Sequence, residues 1–206
     1  MTRVDISNAV RAVPRHAHAP TEPHYKAIRN ILEYLKGTRG LGTTYVRGSG
    51  LGLEGFADAD YAAEANDRRS VSGIAEAIGG AAVSHASKTH GIVSTSSTEA
   101  EYISGGDGVK EGLFVVSVLS FIASETHGTG IKVLADNEGA MALIQNPMRF
   151  GRTKHIDVRF HFIRDLLVVI TVEYVPTEEH HADILTKALD KKTFKRHRDA
   201  LMNVEV

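Results

Sequence analysis

The sequence predicts an α/β domain built on a mixed β-sheet. Three observations carry that expectation. Three strand-like runs follow one another between residues 51 and 87. A long helical run, Ser96 to Ile122, comes next. Short β-rich runs then alternate with helical ones, the order that adds strands to a sheet through crossovers.

The elements follow in chain order. Thr21 to Lys36 reads as a helix, because Ile28, Ile31, Leu32 and Leu35 repeat at helical spacing and Gly37 stands where a C′ glycine belongs. Pro14 and Pro20 break the chain before it, so residues 1–37 lack a core of their own and are expected to dock elsewhere. Residues 38–50, rich in Gly and Thr, read as a linker or loose hairpin. Leu51 to Tyr61 alternates like a strand and ends in acids. Ser70 to Gly79 and Ala81 to Ser87 read as two more strands, with Gly79-Gly80 as their turn. The long helix carries Ile103, Leu113, Val116 and Leu119; Gly105 and Gly106 weaken it by about 1 kcal/mol each relative to Ala. Ile131 to Ala135 is a short buried strand closed by Asp136, and Glu138 to Gln145 a short helix. Ile156, Val158, Phe160 and Phe162 alternate like a strand, yet Ile156, Phe160, Ile163 and Leu167 share a helix face; the length favours a helix. Val168 to Val175 is a β-branched strand, and Ala182 to Leu189 opens a final helix. The basic run Lys191 to Arg198 reads as a solvated helix face.

Composition narrows the function. The 24 Lys and Arg against 25 Asp and Glu exclude a protein that binds nucleic acid through bulk positive charge. Absence of cysteine excludes a disulfide scaffold, a thiolate zinc site and a cysteine nucleophile. No apolar run reaches membrane-spanning length, and MTRVDISNAV has no signal-like apolar core, so neither membrane insertion nor secretion is expected. Charge is unevenly spread. Residues 1–54 carry net +4, 55–136 net −6 and 137–206 net +1. An acidic centre between basic flanks fits a metal site beside a phosphate-binding surface, and equally fits solvated helix faces.

The carboxylates fall at telling places. Asp58 and Asp60 end the first strand, Glu101 lies in the first turn of the long helix, Asp136 ends the fourth strand, and Asp183 stands where the last helix is expected to begin. Strand ends and helix starts of an open α/β sheet gather at one edge. Acids gathered there repel one another and call for a cation, and oxygen donors without cysteine select Mg²⁺ or Mn²⁺. Each acid has an ordinary alternative. Glu101 can close a capping box with Thr98, as Glu99 can with Ser96. Asp136 can be a turn residue, Asp183 a helix first-turn acid, and one of Asp58 and Asp60 a turn cap. Four such coincidences at one sheet edge are less economical than one site.

At these residues the sequence resembles a known family. Gly55-Phe-Ala-Asp-Ala-Asp-Tyr-Ala62 and Asp67-Arg-Arg-Ser-Val-Ser-Gly73 resemble the opening of the ribonuclease H domain of copia-type LTR retrotransposons. So do Ser96-Ser-Thr-Glu-Ala-Glu-Tyr102, Ala135-Asp-Asn137, Arg152-Thr-Lys-His-Ile-Asp157, His161-Phe-Ile-Arg164 and Ala182-Asp-Ile-Leu-Thr-Lys187. The match runs in order over about residues 21–200. Residues 1–37 look like the end of that family's reverse transcriptase, so the resemblance divides the chain into a helical reverse-transcriptase remnant (1–37), a linker (38–54), a ribonuclease H-like domain (55–190) and a basic C-terminal helix or tail (191–206). Phe150-Gly151, Leu166 to Ile170, Ala188 and His85 depart from the family pattern.

The resemblance implies a ribonuclease H-like fold: a five-stranded mixed sheet in the order 3-2-1-4-5, strand 2 antiparallel, flanked by helices. It implies Mg²⁺- or Mn²⁺-dependent hydrolysis of the RNA strand of an RNA–DNA hybrid with two ions, leaving a 5′ phosphate and a 3′ hydroxyl. By motif, the ligands would be Asp58, Glu101, Asp136 and Asp183. The first acid of D-A-D is the one that family members keep, which selects Asp58 over Asp60. The acid before the apolar residue of A-E-Φ selects Glu101 over Glu99. Asp58 would serve both ions, Glu101 and Asp136 the one at the leaving oxygen, and Asp183 the one that activates water. His180 or His181 would assist proton transfer or product release, or else lie in a solvated loop.

Hybrid contact is expected from backbone positioning rather than base reading. Arg68, Arg69 and Ser70, Ser97 and Thr98, Asn137, and Arg152, Thr153, Lys154 and His155 are the candidates, with a structural turn as the alternative for 152–155. Expected partners are the hybrid and the reverse transcriptase part of the same polyprotein. The cytoplasm or virus-like particles are the expected setting, with the nucleus also open. Two other readings stand beside the nuclease: an inactive, domesticated nucleic-acid-binding or scaffold module of the same fold, and a strand-transfer enzyme, which the T-E-A-E-Y context and Asp183 disfavour.

Overall fold

A computed structural model describes residues 3–64, 66–126, 128, 130–145 and 169–204. Five strands form one sheet: β1 (Leu53–Asp60), β2 (Val71–Ile78), β3 (Ala81–Thr89), β4 (Ile131–Ala135) and β5 (Ile170–Tyr174). Their order is β3-β2-β1-β4-β5. β2 runs antiparallel to β1 and β3, while β1, β4 and β5 are mutually parallel. Parallel strands point their carboxyl ends to one edge, and that edge receives Asp58, Asp60 and Asp136.

Helices cover both faces, so strand side chains alternate between two cores. On one face, Leu53, Ile131 and Val133 pack with Tyr102, Ile103 and Val109 of α3 (Ser97–Ile122) and Ile144 of α4 (Glu138–Gln145). On the other, Phe56, Ala75 and Leu134 pack with Ile184 and Leu185, with Leu201 and Met202 of α5 (Lys191–Met202), and with Val4.

The N-terminal segment docks on this second face. α1 (Ser7–Ala12) meets β3, where Ser7 Oγ lies 3.0 Å from His85 Nδ1. His85, one of the departures from the family pattern, therefore faces the N-terminal segment. α2 (Glu22–Gly37) has no fully buried residue and is tied down by polar contacts. Tyr34 Oη donates to Asp5 at 2.6 Å, Arg3 pairs with Asp5 at 2.8 Å, and Arg198 of α5 donates to Tyr34 Oη at 3.4 Å.

Two expectations change here. Ala182 to Leu189 does not open the last helix. His181–Leu185 is a 3₁₀ turn, and α5 begins only after Asp190, whose Oδ1 accepts from the N–H groups of Lys192 (2.9 Å) and Thr193 (3.2 Å). Burial of Ala182, Ile184 and Leu185 on three sides of so short a segment tightens it into a turn. The basic run Lys191 to Arg198 is solvated on one side only, since His197 is buried and Leu201 and Met202 continue its inner face. The helix expected over 156–167 lies outside the described residues.

Candidate metal centre

β1 alternates, so Asp58 and Asp60 point to the same face from one strand end, yet only Asp58 is fully buried. Asp58 pairs in register with Gly73 of β2. A Cβ on Gly73 would lie 2.8 Å from both the Ala182 carbonyl oxygen and Leu185 Cβ. Glycine there lets the 181–187 turn press onto the sheet beside Asp58. The turn is held from below as well. Ser87 Oγ donates to the Leu185 carbonyl at 2.6 Å, and Asn8 Nδ2 to the Lys187 carbonyl at 3.3 Å.

That packing delivers four groups to Asp58. Thr186 Oγ1 donates a short hydrogen bond to Asp58 Oδ2. Lys187 Nζ lies 3.1 Å from Asp58 Oδ1 and 2.9 Å from Asp183 Oδ1. His180 is fully buried; its Nε2 lies 3.1 Å from the Leu134 carbonyl and its Nδ1 3.8 Å from Asp183 Oδ1. A ring whose Nε2–H is spent on a carbonyl turns its other nitrogen to the acids. Asp136, just past β4, accepts from Thr177 Oγ1 at 2.9 Å. Asp58, Asp136, His180 and Asp183 each offer one ligand atom within 4.8 Å of the others.

Glu101 stands beside this group from the first turns of α3. Burial, and then the charges of Asp58 and Asp136, push its carboxyl up to about 9, while the Ala59 backbone amide holds it in place. Ser104, one turn on, donates to the Asp58 carbonyl at 2.7 Å and fixes α3 against β1. Glu99 does a different task. Ser96 caps α3 by accepting from the Glu99 amide at 3.1 Å, and Glu99 Oε2 accepts from the Thr95 amide and hydroxyl at 2.7 Å each. The capping alternative thus falls on Glu99 and leaves Glu101 to the acids.

The electrostatics fit a cation-seeking site. Burial raises the Asp58 carboxyl above the usual range, against the pull of Lys187. Burial also works to raise Asp183, but the facing His180 ring and the hydrogen-bonded Lys187 ammonium outweigh it and hold that carboxyl low. For His180, burial opposes the proton, yet Asp183, Asp58 and Asp136 keep its pKa raised. Three carboxylates and one imidazole converging without thiolates suit a hard divalent ion, and a buried set so close has no other way to shed its repulsion than protons, Lys187 or a metal.

The expected substrate residues are spread around this rim. Arg68 and Arg69 lie in the β1–β2 loop, where Arg68 is exposed at φ 57 and Arg69 pairs with Asp67 at 3.5 Å. That loop is braced from the N-terminal segment by ion pairs of Arg11 and Arg15 with Glu64. Ser97 is exposed and Thr98 half-buried at the start of α3. Asn137 caps α4, its Oδ1 accepting from the Ala140 amide at 2.9 Å. A Cβ on Gly139 would stand 3.0 Å from Thr98 Oγ1, so the starts of α3 and α4 meet beside Asp136. Arg152, Lys154 and His155 lie outside the described residues. Neither histidine of the His180–His181 pair is in a solvated loop: His181 turns to His197, Nδ1 to Nδ1 at 3.0 Å. Thr186 and Lys187 were not singled out by sequence, although their spacing of three and four from Asp183 was a signal that they share its side of a turn.

No family model matches the chain. It is 37% identical over 196 residues, 94% of its length, to the retrovirus-related Pol polyprotein from transposon TNT 1-94 of Nicotiana tabacum, covering 14% of that protein. It is 36% identical, again over 94% of its length, to the retrovirus-related Pol polyprotein from transposon RE1 of Arabidopsis thaliana, covering 13% of it. The chain thus spans about one seventh of the length of these curated relatives. Among solved structures, the N-terminal RNase H domain of Rv2228c from Mycobacterium tuberculosis, fused to maltose-binding protein, matches with a TM-score of 0.50 at 14% identity, over 71% of this chain and 96% of that one. At that identity the likeness concerns the fold.

Proposed function

The chain belongs with the copia-type Pol polyproteins of transposons and has the ribonuclease H fold, and on that premise we propose that it hydrolyses the RNA strand of RNA–DNA hybrids with the help of Mg²⁺ or Mn²⁺. The observation that carries this reading is the convergence of Asp58, Asp136 and Asp183 with His180 within 4.8 Å at the carboxyl edge of β1 and β4. Asp58, Asp136 and Asp183 would hold the first ion, and Glu101, adjacent to Asp58 and Asp136, adds a fourth carboxylate for a second. Divalent ions at such a site lower the pKa of a bound water and stabilise the charge that develops on a leaving oxygen.

The chain's own residues supply position and dryness. Asp58 and His180 are fully buried, so the inner wall of the site excludes bulk water and strengthens each charge interaction there. His180, bound to the Leu134 carbonyl, orients Asp183 and is too enclosed to swing out as a mobile proton carrier. Arg68, Ser97 and Thr98 border the open side, where they can hold phosphates and 2′-hydroxyls of a hybrid without reading its bases. The reverse transcriptase part of a longer polyprotein would present that hybrid.

Asp136 tests the reading best, because it is half-buried and, among the described residues, its carboxylate is hydrogen-bonded by a single hydroxyl, that of Thr177. Asp136→Asn should bring cleavage of a labelled hybrid in Mg²⁺ to background while the melting temperature stays within a few degrees of the wild type. Wild-type protein that binds the hybrid but does not cut it would overturn the nuclease in favour of a binding module of the same fold.

A further inference from the structure

The position between Asp58 and Asp183 is filled by the chain itself. Lys187 Nζ lies 3.1 Å from Asp58 Oδ1 and 2.9 Å from Asp183 Oδ1. Its backbone is pinned by Asn8, but its side chain is 33% exposed, so the ammonium has a way out to the rim. The two acids it bridges belong to the four residues that converge within 4.8 Å. Asp58 is already engaged at its other oxygen by Thr186. A divalent ion shared by Asp58 and Asp183 would compete with Lys187 for Asp58 Oδ1, and would bring its charge up against the ammonium.

We propose that Lys187 is a built-in counter-cation that neutralises the metal-free acids and must be displaced when the first divalent ion binds. This rests on the metal reading above and adds to it. Binding then becomes an exchange of one cation for another, so the site does not stand as an uncompensated acidic cluster when metal is scarce. The exchange also sets metal affinity below what the carboxylates alone would give. Were Lys187 instead to stay in place as an outer partner that orients both acids, its loss would weaken metal binding.

The test uses the 206-residue chain and Mn²⁺ alone, with binding followed by electron paramagnetic resonance of free Mn²⁺ and by thermal melting. Lys187→Met should bind Mn²⁺ about tenfold tighter or more, the scale of removing one nearby like charge that is partly screened by solvent. Without metal it should melt below the wild type, and added Mn²⁺ should raise its melting temperature by more than it raises that of the wild type. Should the methionine variant not fold, Lys187→Gln, which keeps a donor between the two acids, carries the same comparison. Affinity in the variants equal to or weaker than the wild type overturns the proposal while leaving the nuclease reading intact. Failure of the wild type and both variants to bind Mn²⁺ at all overturns both.

Discussion

Asp58 is a fully buried carboxylate whose position depends on two side chains 128 and 129 residues further along the chain. A buried acid survives only if its oxygens are matched by donors or charge. Thr186 supplies a hydroxyl and Lys187 an ammonium. Thr186→Val keeps the shape and removes the donor, so the metal-free protein should lose about 1.5–3 kcal/mol, the range for a hydrogen bond to a charged group, measurable by urea unfolding. An unchanged unfolding midpoint would mean that Lys187 alone satisfies Asp58. Asp58 and Asp136 were legible as an edge pair because they sit at the ends of β1 and β4, positions that chain order reveals, whereas Asp183 lies in a 3₁₀ turn and not at the helix start expected for it. The choice of Glu101 over Glu99 came from motif resemblance; Glu99 is held by the Thr95 and Ser96 bonds, and Glu101 stands beside Asp58 and Asp136 without belonging to the four residues that converge within 4.8 Å. Thr186 and Lys187 were not legible as site residues, since their partner is brought to them only by tertiary packing.

At the scale of elements, the site exists because two surfaces come unusually close to the sheet. Along α3, Glu101, Ser104, Gly108 and Gly112 form one stripe facing the strands. A Cβ on Gly108 would lie 3.1 Å from Ala57 Cβ, and one on Gly112 3.1 Å from Ile131 Cγ2. Gly108 and Gly112 therefore let the helix approach the sheet closely enough for Ser104 to reach the Asp58 carbonyl. On the opposite face, Gly73 does the same for the 181–187 turn. Gly73→Ala would drive its methyl into the Ala182 carbonyl and Leu185, which are backbone and packed core rather than flexible ends. The expected outcome is about 1–3 kcal/mol lost to overpacking, together with slower hybrid cleavage as Thr186 and Lys187 lift from Asp58. Full stability with full cleavage would show that the turn can slide without cost. The turn itself was misread as a helix start. Its Ala, Ile and Leu satisfy helical spacing as well as they satisfy burial in a 3₁₀ turn, and the Asp190 cap that starts the true helix lies only a few residues later.

At the scale of the molecule, the order 3-2-1-4-5 came from the family resemblance, whereas a mixed sheet made of a three-stranded meander with strands added through helical crossovers was legible in the element order. The N-terminal segment's docking site was not, since Asp5, Tyr34 and Arg198 meet through polar contacts with no sequence period. Two buried titratable groups away from the acids should shape stability across pH. Glu76 of β2 is 1% exposed, wedged between Gly55 and Gly112, and its Oε2 has no hydrogen-bond partner among the described residues. Burial first, and then Glu111 of α3, itself bonded by Ser84 of β3, push its carboxyl from 4.5 up to about 8. The folded protein thus keeps a proton that the unfolded chain gives up above pH 4.5, so stability falls as pH rises from about 5 to 8, by on the order of 3 kcal/mol. His90 acts on the other side. Burial, set against Asp107 and Glu99 and aided by Lys88, lowers it to about 4 while Ser72 Oγ holds Nε2 at 2.7 Å. The unfolded chain takes that proton below pH 6.5 and the folded one does not until about 4, so stability falls as pH drops through that window. These two effects favour the range between about pH 5 and 6.5, and Glu101, raised to about 9, adds to the alkaline fall of the metal-free protein. Glu76→Gln should make the alkaline limb shallower, leaving the part that Glu101 contributes, and keep the acid limb in place when unfolding free energy is followed by urea from pH 4 to 9. An alkaline limb as steep as in the wild type would mean that Glu76 is ionised in the folded protein, with a compensating charge drawn in beside Glu111.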